Sequence, residues 1–243
     1  MELRELPNIG PVLEKNLRAV EIGSAEELRS AGACEAWLWI RSRVDPGACI
    51  HQLTALAGEL EAQITPRFIW RTLPLERTED ALLLGGQPLP GRTAAKMLAD
   101  CTQCALLVCT LGVPFDAWLR RLQARDMAQA VMLDALGSAY VESACDEAER
   151  EIAARFPSLH LTDRFSPGYG DLPLALQPTL LDMAEARRIG VSCTPSLLMT
   201  PQKSVSALIG LADRPQMARI RGCAHCSMNK TCTLRKAGKS CDI

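Results

Sequence analysis

The chain is poor in aromatic residues, carries no excess charge of either sign and has no long apolar run. Aromatics make up 4% of its 243 residues, and the formal net charge is -1. Without a strongly basic balance, neither nucleic acid nor an anionic membrane is indicated as the main partner. The longest apolar run, Cys104 to Val113, is about half of what a membrane span requires. The opening Met-Glu-Leu-Arg-Glu lacks the basic region and apolar stretch of a signal peptide, so a cytoplasmic location with no membrane partner is expected. No internal repeat or low-complexity tract is visible.

Cysteine, by contrast, is abundant. There are 11, an odd count, and in a reducing cytosol they are better read as thiols for metal or packing than as disulfides. A hydrophobic content of 48% is ordinary for a soluble globular protein. The length suffices for one large domain or two smaller ones, each with its own core.

Residues 1–63 read as all helix. Gly10-Pro11 opens an apolar pattern through Val12, Leu13, Leu17 and Val20, which Gly23 ends. Ser24 and Glu27 stand at capping-box spacing for a second helix ending near Gly32. A third is expected over about residues 33–43, and Asp45-Pro46 starts a fourth, proline being acceptable at a first helical position. Leu6-Pro-Asn-Ile-Gly-Pro11, followed by Leu17 and the Ile22-Gly23 turn, resembles a helix-hairpin-helix, and residues 3–60 are similar to the C-terminal domain of TfoX-type competence regulators. Hairpins of this kind often grip phosphates through backbone amides at the turn. Here six Lys/Arg stand against ten Asp/Glu, the wrong sign for a phosphate surface, and Asn8 occupies a place where nucleic-acid-binding hairpins usually carry glycine. A protein-interaction module is the better expectation, and nucleic acid is an unlikely partner by charge.

Residues 64–73, with Pro66 and Pro74 around them, read as a linker. Ala81 to Leu84 is strand-like and meets the Gly85-Gly86 turn, while Ala105 to Gly112 reads as a core strand by length and flanking glycine. From Pro114 to Phe156 the pattern is helical, with a break expected near Asp126. Leu133, Leu136, Tyr140, Ala144 and Ala148 lie on one stripe of it, and Gly137, Ala139 and Ala144 leave room for a close neighbour. Pro178 is expected to open a helix ending at Gly190, with paired strands over 191–211. Long helices with antiparallel strands give an α+β fold for residues 64–218, after the small all-α domain. Residues 219–243 form a basic, cysteine-rich tail.

Two motifs carry the functional reading: Arg164-Phe-Ser-Pro-Gly-Tyr-Gly-Asp-Leu-Pro173, and Thr194-Pro-Ser-Leu-Leu-Met-Thr-Pro-Gln-Lys-Ser-Val-Ser206. A planar Arg fork such as Arg164 suits a carboxylate. Gly168 and Gly170 let backbone approach a ligand closely, and Tyr169 offers a ring face to a cation or a purine. The same loop is also what a well-made turn beside an arginine looks like. Together, Arg-x-x-x-Gly-Tyr and Thr-x-Ser-x-x-Met-x-Pro-x-x-Ser-Val-Ser resemble the activation domain of cobalamin-dependent methionine synthase over residues 66–212.

That resemblance implies binding of S-adenosylmethionine and reductive methylation of a corrinoid, which returns inert cob(II)alamin to service. Arg164 would hold the substrate carboxylate, while Gly168, Tyr169 and Ser204 would line the ligand site. Glu142, in Gly137-Ser-Ala-Tyr-Val-Glu142, would meet the ammonium, with Asp126 a second acid for that role; a solvated helix face is the alternative for each. Family members often carry aromatics just after Ser-Val-Ser, where this chain has Ala207-Leu208-Ile209. The chain lacks the Asp-Gly-Gly-type loop of common adenosylmethionine methyltransferases and the Cys-x3-Cys-x2-Cys of radical enzymes. None of its three histidines sits in the Asp-x-His-x-x-Gly that holds cobalt. The cobalamin is therefore expected on a partner, a corrinoid-dependent methionine synthase or corrinoid protein, with an electron donor also required. The competing expectation is a metal-stapled interaction or nucleic-acid-binding regulator whose activation-like domain no longer binds ligand.

In the tail, Cys223, Cys226, Cys232 and Cys241 give C-x2-C-x5-C-x8-C, a four-sulfur set that suits an iron–sulfur cluster or zinc. Cys101, Cys104 and Cys109 fall in or beside the apolar run and read as small buried hydrophobes.

Overall fold

The computed structural model describes residues 2–6, 9–32, 36, 39–40, 43–44, 46–216 and 236. The chain divides into two compact units, Met1–Ala62 and Gln63–Ile243.

In the first unit, α1 (Pro11–Ala19), α2 (Ala25–Ala31) and α3 (Pro46–Gln63) follow a short 3-10 turn. Proline enters α1 at its first turn, and α2 has the capping box: Ser24 Oγ accepts from Glu27 N at 3.2 Å, and Glu27 Oε2 accepts from Ser24 N at 3.1 Å. Leu3, Leu17, Val20, Ile22 and Ala36 form the core. Val12 and Leu13, although part of the apolar pattern, lie exposed in the first turn of α1, whose buried residues are Glu14 and Leu17. Most of the expected third helix lies outside the described residues, as does Asn8.

The second unit is α+β. It runs β1 (Arg67–Arg77), β2 (Leu82–Leu84), β3 (Gln87–Pro88), α4 (Arg92–Met97), β4 (Cys101–Thr110), α5 (Gly112–Gln123) and α6 (Met127–Arg155). Then come β5 (His160–Leu161), α7 (Gln177–Met183), β6 (Ser192–Cys193), β7 (Met199–Thr200) and β8 (Ser204–Ala212). Six strands form one antiparallel sheet in the order β3-β2-β1-β4-β8-β5, and β6 and β7 form a separate hairpin.

Residues opposed across a ladder share a face. Leu106 faces Leu208 and Val108 faces Ser206, and this side packs against Met97, Leu98, Leu180, Leu181, Phe165 and Leu172. The other side carries Cys109, whose thiol meets Cys145 of α6, and Trp70, whose Nε1 donates to Glu151 Oε1 of α6 at 2.9 Å. Gly137 lets the two helices close: a Cβ there would stand 2.2 Å from the ring of Phe115 on α5. The break near Asp126 is a helix cap, with Asp126 Oδ1 accepting from Gln129 N at 3.0 Å.

Three expectations are corrected. Residues 64–73 are no linker, because Arg67 to Pro74 pair with Thr110 to Gln103 along the middle of the sheet. Pro74 is tolerated since β1 changes partner there: residues up to Pro74 pair with β4 and Leu75 to Arg77 pair with β2, so the missing N–H falls at the changeover. The helix from Pro178 stops at Met183, where a left-handed Glu185 (φ +56) turns the chain so that Ala186 and Val191 become buried. In 191–211 only β6 and β7 pair with each other, while β8 pairs with β4, far earlier in the sequence.

The cysteines of β4 are buried. Burial pushes the Cys101 thiol up to about 11 and the Cys104 thiol higher still, so both are neutral packing groups.

Candidate functional site

The Arg164–Pro173 segment is held on three sides. Phe165 exchanges both backbone hydrogen bonds with Leu208 of β8, donating at 3.1 Å and accepting at 2.8 Å. The turn closes on itself through Gly168 N to Leu172 O (2.8 Å) and Tyr169 N to Ser166 O (3.0 Å). Asp171 then caps α4, its carboxylate accepting from Arg92 N at 2.7 Å and Thr93 N at 2.9 Å. Hydrogen bonds from the Thr93 side chain and from the Thr93 and Arg92 amides hold its carboxyl down to about 2. Gly170 sits at φ +58 with its missing Cβ 2.6 Å from Thr93 Oγ1, so the loop and α4 meet at a contact only glycine allows.

Arg164 points from this segment to α6. Its Nη1 donates to Asp146 Oδ1 and Glu149 Oε1, both at 2.6 Å, and its Nη2 donates to Glu142 Oε2 at 2.5 Å. The guanidinium side chain is only 10% exposed, against 53% for Glu142, 55% for Asp146 and 23% for Glu149. Burial alone would lower its pKa, but the three carboxylates outweigh that and raise it far above the ordinary arginine value. Three of the five guanidinium N–H groups are thus engaged by the protein's own acids, whose charge exceeds that of the single guanidinium. The spacing i, i+4, i+7 puts the three acids on one helix face, a pattern readable in the sequence that the motif reading passed over.

Glu142 also lines a cleft of about 640 Å³. Its other walls are Ser166 and Pro167 of the loop, Leu174, Gln177 at the start of α7, the β6–β7 hairpin from Thr194 to Thr200, and Gln202 to Ser206 at the start of β8. The hairpin tip is built by Thr194: its N–H donates to Leu198 O at 2.8 Å and its hydroxyl accepts from Leu198 N at 3.1 Å. Leu197 adopts φ +65, a left-handed conformation costing about 1–2 kcal/mol for a non-glycine residue, and with Leu198 it presents two leucines to the cleft. Ser204 Oγ donates to Pro201 O at 2.7 Å and contacts Thr110 Oγ1 at 2.8 Å, closing the corner into β8. In the floor, Gln177 Nε2 donates to Ser206 Oγ at 2.7 Å, and both residues are buried.

Of the residues singled out from sequence, Arg164 is bonded to Glu142, and Glu142 shares the cleft with Ser204. Gly168 (φ +88) and the half-exposed Tyr169 belong to the adjoining turn, outside the lining. Asp126 caps α6 and does not line the cleft. Cys223, Cys226, Cys232 and Cys241 lie outside the described residues; among the described residues no cluster of His, Cys, Asp and Glu could hold a metal ion. No described helix is long and apolar enough to cross a membrane. Gln177, Leu197 and the Asp171 cap escaped the sequence reading: they matter by position in the fold, and no local pattern marks them.

Comparison with known proteins gives two likenesses. Residues 1–66 match the family model of the TfoX C-terminal domain. A crystal structure of the MetH reactivation domain bound to AdoHcy is similar at 18% sequence identity with a TM-score of 0.56, over 83% of this chain and 76% of that one. No curated protein matches the chain. Residues 1–66 are thus similar to the TfoX C-terminal domain, and the chain shares the fold of the MetH reactivation domain.

Proposed function

We propose that the unit from residue 63 onward binds S-adenosylmethionine in the 640 Å³ cleft and presents its methyl group to a corrinoid carried by a separate methionine synthase or corrinoid protein. The observation that carries this reading is the meeting of both sequence motifs and Glu142 on one cleft, in a fold shared with a domain that was crystallised with AdoHcy. The cleft is of the size that takes a nucleoside-sized ligand and is walled by leucines with a few placed polar groups.

Glu142 takes the ligand's ammonium, and the surplus negative charge around Arg164 favours the sulfonium cation. Arg164 holds Glu142 at the cleft wall and, with three of its five N–H groups engaged by the acids of α6, keeps a second Nη2 hydrogen for the ligand carboxylate. Ser204 keeps the corner of β8 in place, Gly168 gives the loop its turn, and Tyr169 offers an exposed ring on the adjoining turn. Asp126 serves α6 as its cap. No nucleophile or general base is required of the chain; its contribution is orientation. When bound, the partner's corrinoid would supply the reduced cobalt as methyl acceptor, and this chain's residues would orient the sulfonium methyl towards it and retain S-adenosylhomocysteine as the product.

The tail cysteines are assigned to an iron–sulfur cluster rather than zinc, because reactivation needs an electron and zinc has none to give. The four thiols have the ligand number and C-x2-C spacing for it.

Titration calorimetry of the purified chain with S-adenosylmethionine tests the reading. One-to-one binding is expected, with a rise in melting temperature that grows with ligand: about 2.7 kcal/mol of stabilisation at a hundredfold excess over Kd. Absence of both heat and thermal shift at millimolar ligand would overturn it.

A further inference from the structure

The edge of β8 that lines the cleft is open. Leu208 exchanges both its backbone bonds with Phe165, and Gly210 O accepts from Thr162 N at 3.0 Å, so even-numbered residues of β8 direct their N–H and C=O away from β4. Ser206 has the same parity. Continuing the Phe165–Leu208 register by two residues brings Pro167 opposite Ser206, and proline has no N–H to donate. Pairing stops there: among the described residues β5 meets β8 only at Leu211 and Ala212, and no bond to the Ser206 backbone is formed on this edge. A backbone donor and acceptor therefore face the cleft side by side, with Pro167 and Gln177 also in its lining.

Gln177 adds a third polar group. It is 3% exposed and its Nε2 is engaged by Ser206 Oγ, which leaves Oε1. Gln177 lines the cleft, and among the described residues no hydrogen bond engages its Oε1.

On the reading that the ligand is an adenosyl compound, we infer that this edge is its base-recognition site: adenine docks against β8 at Ser206. The Ser206 N–H donates to ring nitrogen N1, the acceptor that becomes an N–H in hypoxanthine. The two hydrogens of the exocyclic amine go to the Ser206 carbonyl and to Gln177 Oε1, and Pro167 and the cleft leucines cover the ring faces. Two acceptors converging on one amine make the site selective for an aminopurine. Deamination places a carbonyl oxygen against both acceptors and removes the ring acceptor, so hypoxanthine fits at none of the three points.

Titrate the full chain with S-adenosylhomocysteine and with its deaminated counterpart, S-inosylhomocysteine. The adenosyl compound is expected to bind at least about tenfold tighter. Gln177→Leu should weaken the adenosyl compound and leave the inosyl compound unchanged, narrowing the ratio, while Gln177→Glu, which keeps an acceptor, should preserve discrimination. Equal affinity of the unaltered chain for the two ligands overturns the base assignment while leaving the cleft as the ligand site. Discrimination untouched by Gln177→Leu in a variant with a native melting profile removes Gln177 from it. Binding of neither compound removes the assignment together with the ligand class it rests on.

Discussion

Replacing Arg164 by alanine would test both the stability and the binding roles of one side chain. The guanidinium is 10% exposed and holds three carboxylates of α6. Removing one member of a buried ion pair costs roughly 3–5 kcal/mol, because the remaining charges lose their partner in a poorly solvated place. That figure must be discounted here. Glu142 and Asp146 are 53% and 55% exposed and regain water, so the penalty falls mainly on Glu149 at 23% exposure. A loss of about 2–3 kcal/mol remains, and for a unit of this size each kcal/mol moves the melting temperature about 2–4 °C. The expected fall is thus about 5–10 °C by scanning calorimetry. Binding of S-adenosylmethionine should weaken about tenfold or more as Glu142 leaves the cleft wall. Arg164→Lys keeps the charge without the fork and should fall between. A variant that melts within a degree or two of the parent and binds as tightly would refute the argument at both points.

Asp171 is held at about 2, well below the ordinary carboxylate, so its contribution is present above about pH 4 and is lost as pH falls from 4 towards 2. Asp171→Ala should flatten the acid limb of the stability curve in that window and change little at pH 7 beyond the loss of the α4 cap. Gly137→Ala drives a methyl to 2.2 Å from Phe115 and should cost about 1–3 kcal/mol in urea unfolding, with part recovered by Phe115→Leu in the same chain. Anaerobically purified protein should show broad visible absorbance that bleaches on reduction and vanishes in Cys223→Ser/Cys226→Ser; a colourless protein with one equivalent of zinc would leave a structural staple instead. The isolated 1–63 segment should not bind duplex DNA, its acids outnumbering its bases, and tight salt-sensitive binding would contradict that.

Local chemistry was legible in the sequence. The Ser24–Glu27 capping box, the Asp126 break and the close approach at Gly137 each depend on a few neighbouring residues and are found where those residues predict, while the core strand expected over Ala105–Gly112 runs over Cys101–Thr110. What escaped depends on partners distant in sequence. Arg67 to Pro74 reads as a linker because its prolines and mixed polarity obscure a strand whose stability comes from β4 on one side and β2 on the other. The role of Arg164 was legible only in part. A forked cation near a glycine turn announces a carboxylate, yet nothing local says whether that carboxylate comes from a ligand or from Glu142, Asp146 and Glu149.

The same proline explains both a motif and a gap in the sheet. Pro167 looks in sequence like a stiffener for the following turn, and the turn does close through Gly168 N and Leu172 O. Its larger consequence lies across the cleft, at Ser206, where a residue with an N–H would continue the Phe165–Leu208 pairing and close the edge. Pro167→Ala therefore restores a donor, and the loop can zip two residues further along β8. Hydrogen exchange at the Ser206 amide should then slow, the chain should gain stability, and adenosyl ligands should bind more weakly because the backbone groups they need are taken. Stability and affinity moving in opposite directions is the distinguishing sign. If both fall together, Pro167 is only a turn residue and the open edge is not the binding surface.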